Sequence, residues 1–215
     1  VLASNGRRAI CRGPLPSIPL RMIKSVFPIL VALAIAIGGG GASVWYALKA
    51  EGGVGAITIG QWTAFPDLGT PDADPYSQAR VAREGVLALG RAEGLSFVAE
   101  RDNEGRPLRR ECSYAIEGSY PTARFWTLYG ADEARAVIDT GKPRPAALHS
   151  YQILRQPDNS ATISVGKRPS PGNWLPINGA GGLSFVLTFY DTPIASSTGL
   201  SDIDMPLIRK VACDA

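Results

Sequence analysis

One unbroken apolar block and a series of short alternating runs divide the chain into two unlike parts. From Ser25 to Leu48, "SVFPILVALAIAIGGGGASVWYAL", 24 residues pass without a charge. About 20 apolar residues in a helix cross the hydrocarbon core of a bilayer. Lys24 and Lys49 close the block, and Trp45 and Tyr46 lie near its second end, where amphipathic rings favour the membrane interface. The pattern predicts a single transmembrane helix over 25–48. A cleaved signal peptide, cut after the small residues Gly40-Gly41-Ala42, is the competing reading. The four glycines Gly38 to Gly41 lack the Lys-Ser/Thr of a phosphate-binding loop and lie within an apolar span.

Beyond residue 51 the pattern is that of a folded domain, 51–215. "VGAITIGQWTAFP" reads as a strand entering a turn. Asp74 is an N-cap and Pro75 a first helical residue. Tyr76, Ala79, Ala82, Val86 and Leu89 recur at helical spacing, and Gly90 is the stop. This predicts a helix over 75–89. Period two then takes over in "LSFVAERD", "CSYAIEG", "ARFWTLYG", "ALHSYQILRQ", "ATISVGK" and "LSFVLTFY". Cys112, Tyr114 and Ile116 share one side; so do Trp126 and Leu128; so do Ala161, Ile163 and Val165. The stretch "ADEARAVIDTG", 131–141, is expected to be a short helical insert. Several short strands joined by Gly, Pro and Asn turns predict a mainly β fold, an antiparallel sandwich with one helix packed on it.

Charge separates the two parts further. The net charge is +3, but residues 1–50 hold six basic residues and no acid. Residues 51–215 hold 16 basic residues against 19 acids, a net of −3. The basic leader, 1–24, precedes the apolar block, so the positive-inside rule predicts a cytoplasmic N-terminus and an exported domain. A mildly acidic domain is not expected to bind nucleic acid. Met22 stands immediately before the apolar block and is expected to be the true start. Cys11, Cys112 and Cys213 are the three cysteines, with no CxxC and one histidine in the whole chain; no metal site is expected. In an oxidising compartment Cys112 and Cys213 are expected to pair.

The order "DPYSQARVAREG", "ARFWTLYGAD", "SYQILRQPDNSATISVGKRPSPGNWLP", "LSFVLTFYDTP" resembles the bacterial family catalogued as domain of unknown function 1214, over roughly residues 55–212. Asn173-Trp174-Leu175-Pro176 is the most specific part. The sequence departs from the family at the hairpin Asp158-Asn159-Ser160 and at Ile177-Asn178. The resemblance implies a jelly-roll-like β-sandwich in exported or envelope proteins. It brings no established catalytic residues and no cofactor. Longer relatives join this domain to a domain of unknown function 1254, so a separately encoded partner of that kind is expected. The expected location is the bacterial inner membrane, single-pass, with the domain in the periplasm.

Candidate chemistry is sparse. His149 beside Ser150 suggests a triad, but no G-x-S-x-G elbow accompanies it. Asp72 with Asp74, and Asp202 with Asp204, are close carboxylate pairs, yet both lie in turn-forming loops. Lys167 and Arg168 precede Trp174, an arrangement that suits a polyanion or a sugar; the plainer reading is a long hairpin-like connection between "ATISVGK" and "LSFVLTFY" with Trp174 packed beneath it. No catalytic residue is assigned. The ligand-binding candidates are Trp174, Asn173, Arg168, His149 and Tyr151. The leading expectation is a membrane-anchored domain that binds a ligand or partner. A periplasmic hydrolase of carbohydrates or esters, and a structural subunit of a complex, are the alternatives.

Overall fold

The computed structural model describes residues 20–49, 55–85, 89–90, 92–141, 143, 145–195 and 203–213. The leader up to residue 19, with Cys11, lies outside them, as does Asp202. The chain divides into two units, Val1–Tyr46 and Ala47–Ala215. In the first, helix α1 (Leu20–Lys49) contains an uncharged stretch, Val26–Tyr46, of 21 residues. At 1.5 Å per residue that stretch is about 31 Å long, matching the hydrocarbon thickness of a bilayer. Its large apolar side chains are exposed, Phe27, Ile35 and Ile37 among them. Length and composition suffice to cross a membrane.

The second unit is mainly β, built from two sheets. In chain order its elements are β1 (Ile57–Ile59), β2 (Trp62–Ala64), α2 (Pro75–Glu84), β3 (Gly94–Ala99), β4 (Cys112–Gly118), β5 (Phe125–Ala131), β6 (Ala147–His149), β7 (Ala161–Gly166), β8 (Asn173–Pro176), β9 (Ser184–Tyr190) and β10 (Leu207–Cys213). One sheet runs β1-β2-β3-β9-β5-β6, the other β10-β4-β7-β8. The alternating residues meet between them. Tyr114 of β4 stands edge-on to Phe185 of β9, with centroids 6.0 Å apart, and Ile116, Leu128, Ile163 and Phe189 are fully enclosed. The Tyr114 hydroxyl, buried with its ring, accepts the Arg109 N–H at 2.7 Å, which satisfies the one polar atom that this core position brings in. Strand β9 is central in its sheet, and six of its seven residues are buried.

Five local expectations are corrected. The 54–66 stretch is a hairpin, with Ile59 opposite Trp62 and Gly60 at φ 60° turning the chain. Helix α2 starts as expected, Asp74 Oδ1 accepting the Ser77 N–H at 3.1 Å, but it ends at Glu84 rather than 89. Gly85, at φ 63°, donates to the Val81 carbonyl and supplies the left-handed cap; Val86 lies outside the described residues. Ser77 is buried, whereas Ala79 and Ala82 of the expected stripe are exposed. Residues 131–141 form no helix: Asp132 Oδ1 accepts the N–H groups of Ala134 and Ala136, both at 2.9 Å. A side chain that takes up local donors in this way holds a turn instead. The strand expected over 147–156 stops at His149, and Ser150–Gln152 is one 3-10 turn.

The fifth correction matters most for function. The single hairpin-like connection expected between "ATISVGK" and "LSFVLTFY" is interrupted by β8, which pairs parallel to β7 with Ser164 beside Trp174 and Val165 beside Leu175. A parallel neighbour requires the chain to travel back along the strand just completed. Residues 167–172 make that return, stiffened by Pro169 and Pro171 and turned at Gly172, φ 81°.

Candidate functional site

The outer face of the β10-β4-β7-β8 sheet carries a pocket of about 340 Å³. Its shape follows from side-chain size. Ala115 pairs with Ser164, and Ser164 with Trp174, in one register row across three strands. Ser113, Ala115, Ser164 and Gly166 give the pocket a low floor. Gly166 is held to that size, because a Cβ there would come within 3.2 Å of the Ser113 Cβ. Trp174 rises from β8 as one wall, its Nε1 donating to the Gly166 carbonyl at 3.1 Å. That bond lays the indole along β7 and leaves the ring half-buried. The returning segment places Lys167, Arg168 and Ser170 over the floor, while Val211 and Ala212 of β10 close the opposite side.

The pocket carries both signs of charge. Lys167 and Arg168 are exposed cations. Glu111, just before β4, lines the same space. The Gly181 backbone N–H, donating to Oε1 at 2.9 Å, holds the Glu111 carboxyl below its ordinary value, with Arg109 and Lys167 adding to the effect. Glu111 Oε2 is enclosed and has no hydrogen-bond partner among the described residues. Two cations therefore face one committed carboxylate, on a polar floor beside an aromatic wall.

The five ligand candidates from the sequence fall into three places. Trp174 and Arg168 share the pocket. Asn173 serves the backbone instead: its Oδ1 accepts the Leu154 N–H at 2.7 Å, and its Nδ2 donates to the carbonyls of Leu154 and Thr162 at 2.8 and 3.0 Å. His149 ends β6 of the other sheet and Tyr151 lies in the 3-10 turn after it; both join a ring cluster centred on Phe125. Their centroids stand 5.7 and 5.5 Å from it, and Tyr190 is 5.8 Å away. Among the described residues His149 Nδ1 has no hydrogen-bond partner, and the Ser150 hydroxyl contacts the Trp126 N–H, which it accepts, rather than His149. Asp74 is occupied as the α2 cap, and Asp72 and Asp204 are exposed. Cys112 and Cys213 are joined in a disulfide between paired strand positions of β4 and β10. Glu111, Ser113 and Ser164 were not singled out by sequence. Alternation sends Ser113 and Ser164 outward, but only the strand pairing brings them beneath Trp174.

Comparison with known proteins agrees with this picture of a fold without an assigned chemistry. The sequence model of the family described as "Protein of unknown function (DUF1214)" matches residues 93–194. No curated protein matches the chain. Among solved structures, the VPA0106 protein of Vibrio parahaemolyticus is similar at a TM-score of 0.52 and 20% identity, covering 65% of this chain and 36% of that one. An uncharacterised protein from Burkholderia cenocepacia is similar at a TM-score of 0.41 and 16% identity, covering 86% of this chain and 53% of its own. The chain thus spans about a third of the first protein's length and about half of the second's. The likeness to the Vibrio protein is one of fold, and the match over 93–194 ties that part of the sandwich to a family with no function attached.

Proposed function

We propose that this chain is a membrane-tethered envelope protein of the DUF1214 family whose exported β-sandwich binds a small organic anion in the pocket beside Trp174. The pocket itself carries the reading: Lys167 and Arg168 over a floor of small residues, with an indole wall. Ligand sites are concave, with an apolar or aromatic lining and a few placed polar groups. The two cations outnumber the one carboxylate, Glu111, which favours a negatively charged guest. The indole offers a flat apolar surface, suited to a ring or an aliphatic face of the same guest. The anchoring half of the proposal is supported by the uncharged span Val26–Tyr46 behind a basic leader. Export is supported by the Cys112–Cys213 disulfide, a bond that persists in oxidising compartments. A separately encoded partner of the domain of unknown function 1254 stays a proposal, tested by co-purification from membranes.

The test uses the detergent-solubilised full chain and a panel of small carboxylates, phosphates and neutral sugars. A ligand that binds only the folded state at 100 times its Kd stabilises it by about 2.7 kcal/mol. At least one anion is expected to raise the melting temperature, and the rise is expected to vanish in the Lys167→Ala/Arg168→Ala double variant. Equal shifts from neutral sugars, or an undiminished shift in that variant, would refute an anion site.

A further inference from the structure

The wall of the pocket opposite Trp174 is the end of β10, and one covalent bond fastens it. Among the described residues, β10 is an edge strand whose only partner in its sheet is β4. It is attached in two different ways along its length. Its first half is keyed into the core: the Pro206 carbonyl accepts Trp62 Nε1 at 2.7 Å, Ile208 is fully buried, and the Ile208 N–H donates to Asn103 Oδ1 at 2.7 Å. Asn103 returns a backbone N–H to the Ile208 carbonyl at 2.9 Å. The second half has no such anchor. Arg209, Lys210, Val211, Ala212 and Cys213 are all exposed, and a bulge between Lys210 and Ala212 breaks the register with β4. Besides the strand ladder, the Ser113 hydroxyl on the Ala212 carbonyl, the exposed Arg209–Glu117 pair and the disulfide hold it.

We propose that the Cys112–Cys213 disulfide is a redox latch on the pocket: a dithiol reductant releases residues 209–213 and opens the wall made by Val211 and Ala212, while the keyed half of β10 and the sandwich stay folded. That the released wall governs access of a ligand rests on the proposed binding function; the release itself does not. The partition follows from burial. The side chains of 209–213 are already exposed, so once the bond is gone their release costs chiefly the ladder to β4, whereas opening at Ile208 would also break core packing. The bond is also approachable from solvent, since Cys213 is exposed while Cys112 is buried against the pocket. A thiolate of the dithiol attacks Cys213 Sγ, the protein S–S bond breaks, and Cys112 leaves as a thiolate that takes up a proton. The second thiol of the reductant then attacks the mixed disulfide and frees Cys213. Two electrons pass to the protein, and the reductant ends as its own disulfide.

Hydrogen exchange by mass spectrometry on the full chain in detergent, with and without dithiothreitol, tests the latch. Reduction is expected to raise exchange over 209–213 by about tenfold or more, while amides at Ile208 and in β7 and β9 change by less than about twofold. The Cys112→Ser/Cys213→Ser double variant is expected to reproduce this with no reductant present. Unchanged exchange at 209–213 in both cases would overturn the proposal, since the ladder alone would then hold the wall. A uniform rise through β4, β7 and β9 would also overturn it, because the bond would then be a staple for the whole fold. Resistance of the native bond to dithiothreitol, read by thiol labelling, counts equally against it. These readouts involve no ligand: local release with no anion bound by the oxidised protein would leave the latch standing and remove the binding function.

Discussion

Replacing Asn173, the first residue of Asn-Trp-Leu-Pro, separates a clamp from a ligand contact. Its carboxamide makes three hydrogen bonds, all to backbone: Leu154 N–H at 2.7 Å, the Leu154 carbonyl at 2.8 Å and the Thr162 carbonyl at 3.0 Å. In effect the side chain pairs with residue 154 as a further strand would, and it ties the segment after the 3-10 turn to the β7–β8 edge. A neutral intramolecular hydrogen bond contributes about 0.5–1.5 kcal/mol net, and these are exposed, so the lower part of that range applies. Asn173→Ala should therefore cost about 1.5–3 kcal/mol. For a domain of this size each kcal/mol lowers the melting temperature by about 2–4 °C, giving a fall of about 3–12 °C. Asn173→Asp sharpens the test at nearly constant shape. Its carboxylate keeps an acceptor for the Leu154 N–H but sets an oxygen lone pair against two carbonyl oxygens. At pH 7 it should be at least as destabilising as alanine, and it should recover in part when acid protonates the carboxyl and restores a donor. Urea unfolding followed by tryptophan fluorescence measures all three proteins. An aspartate variant as stable as the parent at pH 7, or an alanine variant of unchanged stability that has lost anion binding, would refute the clamp.

Three further perturbations read other parts of the fold. Gly94→Ala places a Cβ 2.1 Å from the Phe189 carbonyl oxygen, so β3 and β9 must part; a loss of about 3 kcal/mol or more is expected, seen as failed expression or a collapsed melting temperature. Trp62→Phe removes the donor to the Pro206 carbonyl and leaves that buried oxygen unpaired, costing about 1–3 kcal/mol in urea unfolding. Burial opposes ionisation of Asp102, but the Arg106 guanidinium and the N–H groups of Arg106 and Glu104 outweigh it and hold the carboxyl below its ordinary value. Such a group binds fewer protons folded than unfolded, so its contribution is full above an unfolded pKa of about 3.9 and is lost as pH falls through the folded value. Urea midpoints between pH 5 and pH 2 should therefore fall with acid, and fall less steeply in Asp102→Asn; equal slopes would refute the assignment.

Strand alternation was legible wherever one face of a strand is buried and the other is not. Cys112, Tyr114 and Ile116 on β4, and Ala161, Ile163 and Val165 on β7, are buried as their spacing predicts. Alternation said less about β9. Strands β3 and β5 flank it on both sides, so Val186 and Thr188 on its outer face are buried along with Phe185 and Leu187 on its inner one. The helix start at Asp74 was legible because capping is local chemistry. Its end was not: the sequence pattern runs on to the stop expected at Gly90, but the left-handed backbone turn at Gly85 ends the helix first. Asp132 misled for a related reason: its neighbours favour helix, but its carboxylate captures two backbone donors and holds a turn.

The candidate site was half legible, and the half that was hidden depends on one strand direction. Arg168 and Trp174 are near neighbours in sequence, so a cation beside an indole could be read from the chain alone. Had β7 and β8 formed a hairpin, the 167–172 segment would have projected beyond the strand ends as a tip. With β7 and β8 parallel, the segment must double back, which brings Lys167, Arg168 and Ser170 over Ser113 and Ser164. Direction is a property of how Leu175, Pro176 and Ile177 bury into the core, and no turn residue between 167 and 172 encodes it. The two prolines would stiffen either path, and the glycine would turn it, equally well. The tryptophan that first reads as an anchor beneath a loop is therefore a wall beside one. Strand β10, on the far side of β4, bounds the same space through Val211 and Ala212.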